Sequence, residues 1–255
     1  MALTPVPPRF DRLLGWIPFV GSAALVATAI DVAVKRPAVG VVLFEIALVL
    51  FVPQLLQRRK LRRVLRSGDV NAVLSAWESS AERVPHPETM APLITATALA
   101  AHGLTDRARR ALSLARRGPA WEAAIEQRLV VDTLLSVFDG EPDRALRTAD
   151  ELLHLPLPPS PLLRARVRSL RGALGAFARA FAHTSDARDS RVLEDAAIEN
   201  PLVYWALRYA AAVASLDHGE RTRALTLLDG APRWPRDSVF AAFHDEIAAH
   251  ARGGG

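Results

Sequence analysis

"HGLTDRA" at residues 102–108 returns as "DGEPDRA" at 139–145 and as "HGERTRA" at 218–224. The repetition is wider than the phrase. Gly103, Ala108 and Pro119 stand at offsets of five and sixteen residues, and Gly140, Ala145, Pro156 and Gly219, Ala224, Pro235 keep both intervals. Three such triples do not arise readily by chance, so the phrase marks a structural unit. The step from Gly103 to Gly140 is 37 residues, and the step from Gly140 to Gly219 is 79, about twice as long. A degenerate copy is therefore expected between them. There His183-Thr184 takes the place of His-Gly or Asp-Gly, followed by Leu193, Ala196 and Pro201. An earlier copy opens at Ser67, with Gly68 and then Pro85. Units of roughly 35–44 residues tile the second part of the chain, the periodicity of a repeat array.

One unit reads as a pair of helices. Gly adopts the left-handed conformation that closes a helix, so Gly103, Gly140 and Gly219 are expected as structural turns rather than ligand loops. His102 and His218 precede that Gly, where a polar or positive side chain suits a helix C-terminus. Asp106 and Asp143 fall in the first turn of the following helix, where negative charge is favoured. Ala108, Ala145 and Ala224 are small, as close packing of the second helix on the first requires, and the proline turns the chain back. Segments rich in Ala, Leu and Arg with apolar residues at 3–4 spacing, and no period-2 alternation, predict an all-α fold.

These residues resemble the second-helix half of a tetratricopeptide repeat. Leu112, Leu193 and Leu228 match its large position, and Ala115, Ala196 and Ala231 its following small one. The first helices depart from the pattern: "APLITATALAAH" (91–102) and "LVVDTLLSVFD" (129–139) lack its Trp, Leu-Gly and Tyr, and Asp189 replaces a small residue. The resemblance implies an α-solenoid of helix pairs over residues 67–251. It also implies first helices lining a concave groove, with Gln127, Arg171 and Tyr209 facing inward toward a peptide or protein partner.

Ahead of the repeats stand "LLGWIPFVGSAALVATAI" (13–30), which has no charge, and "AVGVVLFEIALVLFVPQLL" (38–56), interrupted only by Glu45. Both reach membrane-helix length, and "DVAVKRP" (31–37) between them allows only a tight hairpin. Residues 1–12 are expected as a flexible N-terminus, about 13–34 and 38–56 as two transmembrane helices, 57–66 as a basic juxtamembrane segment and 252–255 as a flexible tail. Ala27 and Ala29 offer a signal-peptidase pattern, but the second apolar stretch follows too closely to favour cleavage. Arg58, Arg59, Lys60, Arg62 and Arg63 follow the second span, whereas the hairpin holds only Lys35 and Arg36. The positive-inside rule then places both termini and the repeat domain in the cytoplasm of a bacterial inner membrane. The same run suits anionic lipid headgroups. Glu45, near mid-depth, is expected to hydrogen-bond Ser22 or Thr28, to hold an oligomer together or to meet another membrane subunit.

Cysteine is absent, which excludes disulfides, thiolate metal sites and cysteine nucleophiles. A net charge of +5 raises nucleic acid as a partner, but the basic residues are almost all arginine in an Ala-rich chain and read as solvated helix surface. No metal spacing, phosphate loop or nucleophile elbow is present, so neither catalytic residue nor cofactor is expected. Arg164, Arg168 and Arg171 share one helix face as a candidate basic surface. The expected function is that of a membrane-anchored, non-enzymatic scaffold or adaptor. It would bind a protein or peptide partner and help assemble an envelope complex. The alternative is an accessory subunit of a transport or secretion machine in which the hairpin and Glu45 are the functional part.

Overall fold

The computed structural model describes residues 59–81 and 84–253, and all regular structure within them is helical. The two predicted spans, with Glu45 and Arg58, lie outside the described residues. Among the described residues no helix is long and apolar enough to cross a membrane. The chain divides after Lys60. In the second unit a helical segment over 61–66 leads to α1 (Val70–Ala81), α2 (Pro87–Ala101), α3 (Thr105–Ala115), α4 (Ile125–Phe138) and α5 (Pro142–His154). These are followed by α6 (Pro161–Phe181), α7 (Asp189–Glu199), α8 (Tyr204–Asp217), α9 (Arg221–Leu228) and α10 (Val239–Gly253).

Helix ends follow local chemistry. Pro87, Pro142 and Pro161 open α2, α5 and α6, where a missing N–H costs nothing and a fixed φ helps. Asp69 Oδ1 accepts the Asn71 and Ala72 N–H groups at 3.0 and 3.1 Å and so caps α1. Gly103, Gly140 and Gly219 have φ of 71°, 71° and 78°. The residue after each donates back five positions: Leu104 to Leu99 O, Glu141 to Ser136 O and Glu220 to Ser215 O, at 2.8–2.9 Å. That is the Schellman closure, and it satisfies carbonyls the helix end would leave open.

The degenerate copy is closed in the same way, one residue earlier than the sequence alignment has it. His183, not Thr184, takes the left-handed position, with φ 54°, and Thr184 N–H reaches Arg179 O at 3.0 Å. Asp189 then fills the buried site that Ala108, Ala145 and Ala224 fill elsewhere. Arg179 neutralises it through two hydrogen bonds of 2.8 and 2.6 Å. A second departure lies at α9, which stops at Leu228, so Ala231 stands in a loop beyond Gly230 (φ 73°) rather than on a helix.

Packing builds helix hairpins, α2 with α3, α4 with α5, α6 with α7 and α8 with α9, and α2, α4, α6 and α8 touch in succession. The alanines at the hairpin seams are fully buried, which brings the backbones close enough for Leu93, Leu134, Leu174 and Leu207 to fill the space between them. The C-terminal helix then crosses the first helices. Phe240 and Phe243 of α10 meet Phe138 of α4 at 5.4 and 6.0 Å between ring centres, Phe243 meets Phe181 of α6 at 5.3 Å, and Phe240 stacks on Tyr209 of α8 at 4.9 Å. Burying a side chain such as Phe240 contributes roughly 1.5–3 kcal/mol. Its approach is also pinned by polar bonds: Val239 N–H donates to Gly103 O at 3.0 Å and Ser238 Oγ to His102 O at 2.7 Å.

Candidate functional site

Most side chains that the sequence offers for binding are engaged within the fold. Arg171 is 2 % exposed. It donates to Glu126 Oε1 at 3.1 Å, to Leu155 O at 2.6 Å and to Pro156 O at 3.2 Å, so it ties down the chain leaving α5. Tyr209 is fully buried. Its hydroxyl accepts from Trp234 Nε1 at 2.7 Å and meets His244 Nδ1 at 3.2 Å, and burial pushes its pKa up to about 12. Gln127 is exposed on α4 and lines a separate cavity of about 200 Å³ with Met90 and Ala124. The three residues assigned to a concave groove therefore share no open surface. The physical reason is that α10 and the loop before it occupy the space beside Tyr209, while Arg171 is spent on loop carbonyls.

The arginine face of α6 divides likewise. Arg164 donates to Pro158 O at 3.2 Å and Pro159 O at 3.0 Å, Arg171 is buried, and Arg168 stays exposed. Arg208 donates to Tyr204 Oη at 2.6 Å and to Leu227 O and Thr226 O at 2.7 and 2.9 Å, closing α9. Of the predicted juxtamembrane set, Arg59, Lys60, Arg62 and Arg63 are exposed. His102 is buried, with Nδ1 2.8 Å from Ala98 O. Burial holds its pKa below the usual histidine value, so it stabilises α2 as a neutral ring and not as a cation on the helix dipole.

An open cavity of about 420 Å³ lies where α10 passes the ends of α6 and α8. Phe181, Val213, Leu216, Phe243 and Ile247 give it an apolar floor, and His183, Asp217, Arg221, Glu246 and His250 form its rim. On that rim His183 Nδ1 lies 2.8 Å from Asp217 Oδ1, and Ser185 Oγ donates to Asp217 Oδ2 at 3.1 Å. Serine and histidine thus both address the carboxylate and not each other. A hydrolytic triad needs the hydroxyl on the imidazole, and this arrangement does not supply one. Among the described residues no group of three His, Asp or Glu side chains could hold a metal ion. The site suits reception of an amphipathic group: an apolar body on the floor, with polar atoms left to the rim.

Sequence reading missed this cavity because its members come from three separated stretches, 181–183, 213–221 and 243–250. One signal was present, however. No glycine stands in the 183–184 copy, and a non-Gly residue held at positive φ, as the structure has His183, costs energy that function can exploit.

No protein-family model, no curated protein and no solved structure matches this chain. The tetratricopeptide resemblance rests on the residue spacings given above.

Proposed function

We propose that this chain is a membrane-anchored, non-enzymatic adaptor of tetratricopeptide-like helix pairs. The apolar stretches at 13–34 and 38–56 hold it in a bacterial inner membrane. The helical unit faces the cytoplasm, where it captures a segment of a protein partner during assembly of an envelope complex. The observation that carries the reading is the open cavity between α6, α8 and α10, with five apolar side chains below a polar rim. A cavity of that size and lining accepts one or two large side chains of a peptide, while rim groups and nearby backbone orient the segment. The partner site moves accordingly from the concave groove to this cavity.

A photo-crosslinking amino acid at Glu246, in the full chain in native membranes, tests the proposal. It should attach to a discrete protein partner, and Leu216→Trp, at a half-buried floor position, should abolish the adduct in a chain whose far-ultraviolet circular dichroism shows it still folded. An adduct that persists in that variant, or no adduct at all, overturns it.

A further inference from the structure

Among the described residues the three most exposed large apolar side chains lie at neighbouring helix ends. Leu162 at 87 %, Ile198 at 60 % and Leu163 at 56 % exposure belong to the first turn of α6 and the last turn of α7. These two helix ends are joined. Arg166 Nη2 donates to Glu199 O at 3.2 Å and Ser169 Oγ to Glu199 Oε2 at 3.0 Å. Leu162 lies one turn before Arg166, on the same side of α6 and at the end of that helix nearest these bonds to α7. The residues before α6, "LPLPPS" at 155–160, are apolar except for the serine.

The basic segment meets these helix ends. Arg66 Nη2 donates to Ile198 O at 3.2 Å, and its guanidinium lies 4.3 Å from the centre of the Tyr204 ring. Trp205 Nε1 donates to Arg66 O at 2.8 Å, which locks the end of the 61–66 helical segment against α7 and α8. Arg62 is one turn before Arg66, and Arg62, Arg63, Arg164, Arg166 and Arg168 are all exposed. Asp195 and Glu199 are the acidic side chains close by on α7, too few to balance the arginines.

We infer that this face docks on an anionic lipid surface, with Leu162, Leu163 and Ile198 entering the headgroup boundary and the surrounding arginines on lipid phosphates. Exposed leucines among an excess of arginine over carboxylate match a bilayer interface, where apolar burial and headgroup attraction add. The inference rests on the anchored reading for its delivery. Docking holds the helical unit in one orientation on the membrane and leaves the α10 cavity to its partner.

The chain has no cysteine, so Leu162→Cys carries a single environment-sensitive fluorophore. The labelled full chain is reconstituted into phosphatidylcholine vesicles and into the same vesicles with phosphatidylglycerol added. A blue-shifted emission quenched by nitroxide lipid is expected with phosphatidylglycerol and not without it, and a probe at Ser113 on α3 should show neither. Arg164→Gln and Arg168→Gln should each lower the docked fraction ratio roughly fivefold, and added salt should act in the same direction. An unshifted Leu162 probe in phosphatidylglycerol overturns the inference. So does a shift equal in both vesicles that grows with protein density, which assigns the face to a second copy. Carbonate extraction of the same samples reads anchoring separately. If the chain is stripped, the anchored reading fails, and the probe titrated with free phosphatidylglycerol vesicles decides the docking face by the same criterion.

Discussion

Replacing Gly103 and Gly140 by alanine separates local from tertiary demands on the repeated turn. Both residues have φ of 71°, so forcing an L-side chain into the left-handed region costs each variant about 1–2 kcal/mol. At Gly140 a Cβ would meet nothing within 4 Å, and that cost is the whole effect. At Gly103 the same atom would stand 2.8 Å from Ser238 Oγ, 2.9 Å from Val239 Cγ2 and 3.2 Å from Phe240 Cδ2. Carbon contacts are comfortable near 3.5–4.0 Å, so the start of α10 must retreat. Overpacking of this kind costs about 1–3 kcal/mol. Retreat also weakens the Val239 to Gly103 and Ser238 to His102 bonds, each contributing about 1 kcal/mol. Gly103→Ala should therefore lose roughly 3–5 kcal/mol against about 1–2 kcal/mol for Gly140→Ala, with Gly219→Ala behaving like Gly140→Ala. Urea unfolding of the full chain in detergent, followed by far-ultraviolet circular dichroism, measures the three. Equal losses at Gly103 and Gly140 would refute the docking of α10 on the first hairpin.

Two further perturbations probe buried charge. Asp189 is 4 % exposed at its side chain and Arg179 is 38 % exposed, so removing either partner is not equivalent. Arg179→Ala strands a buried carboxylate and should cost about 3 kcal/mol, whereas Asp189→Ala frees an arginine that reaches water and should cost about 1 kcal/mol. Similar losses in denaturant titrations would show that the pair is not the source of stability. For His102, burial lowers the folded pKa below the ordinary 6.5, so the unfolded chain takes up the proton first. Its contribution is complete above that value and is lost as pH falls below it, by at most about 1.4 kcal/mol per pH unit. His102→Gln should flatten the decline in unfolding free energy between about pH 7 and about pH 5. Asp132, whose carboxyl burial pushes up, acts with the opposite sign and cancels in the difference between the two chains. An unchanged slope in the variant would refute the assignment.

Helix content, hairpin boundaries and turn geometry were legible in the linear chain because each depends on a few adjacent residues. Gly103, Gly140 and Gly219 close their helices as the spacing implies, and Ala108, Ala145 and Ala224 sit in the seams that their size suggests. Even the degenerate copy was visible, though its register shifted by one residue because His183 tolerates the left-handed conformation that glycine favours. What spacing could not supply was the partner of each surface. Arg171 and Tyr209 occupy positions that a family pattern assigns to an open groove, yet Arg171 meets carbonyls sixteen and fifteen residues away and Tyr209 stacks beneath Phe240. The Tyr209 contact depends on where α10 settles, and the site of α10 is chosen by aromatic rings drawn from α4, α6 and α8 together. The cavity under α10 and the leucine–arginine face of α6 and α7 arise the same way, from residues far apart in the chain. Local sequence determined that Gly103, Gly140 and Gly219 are equivalent as turns; only tertiary packing made Gly103 the one that leaves no room for a methyl group.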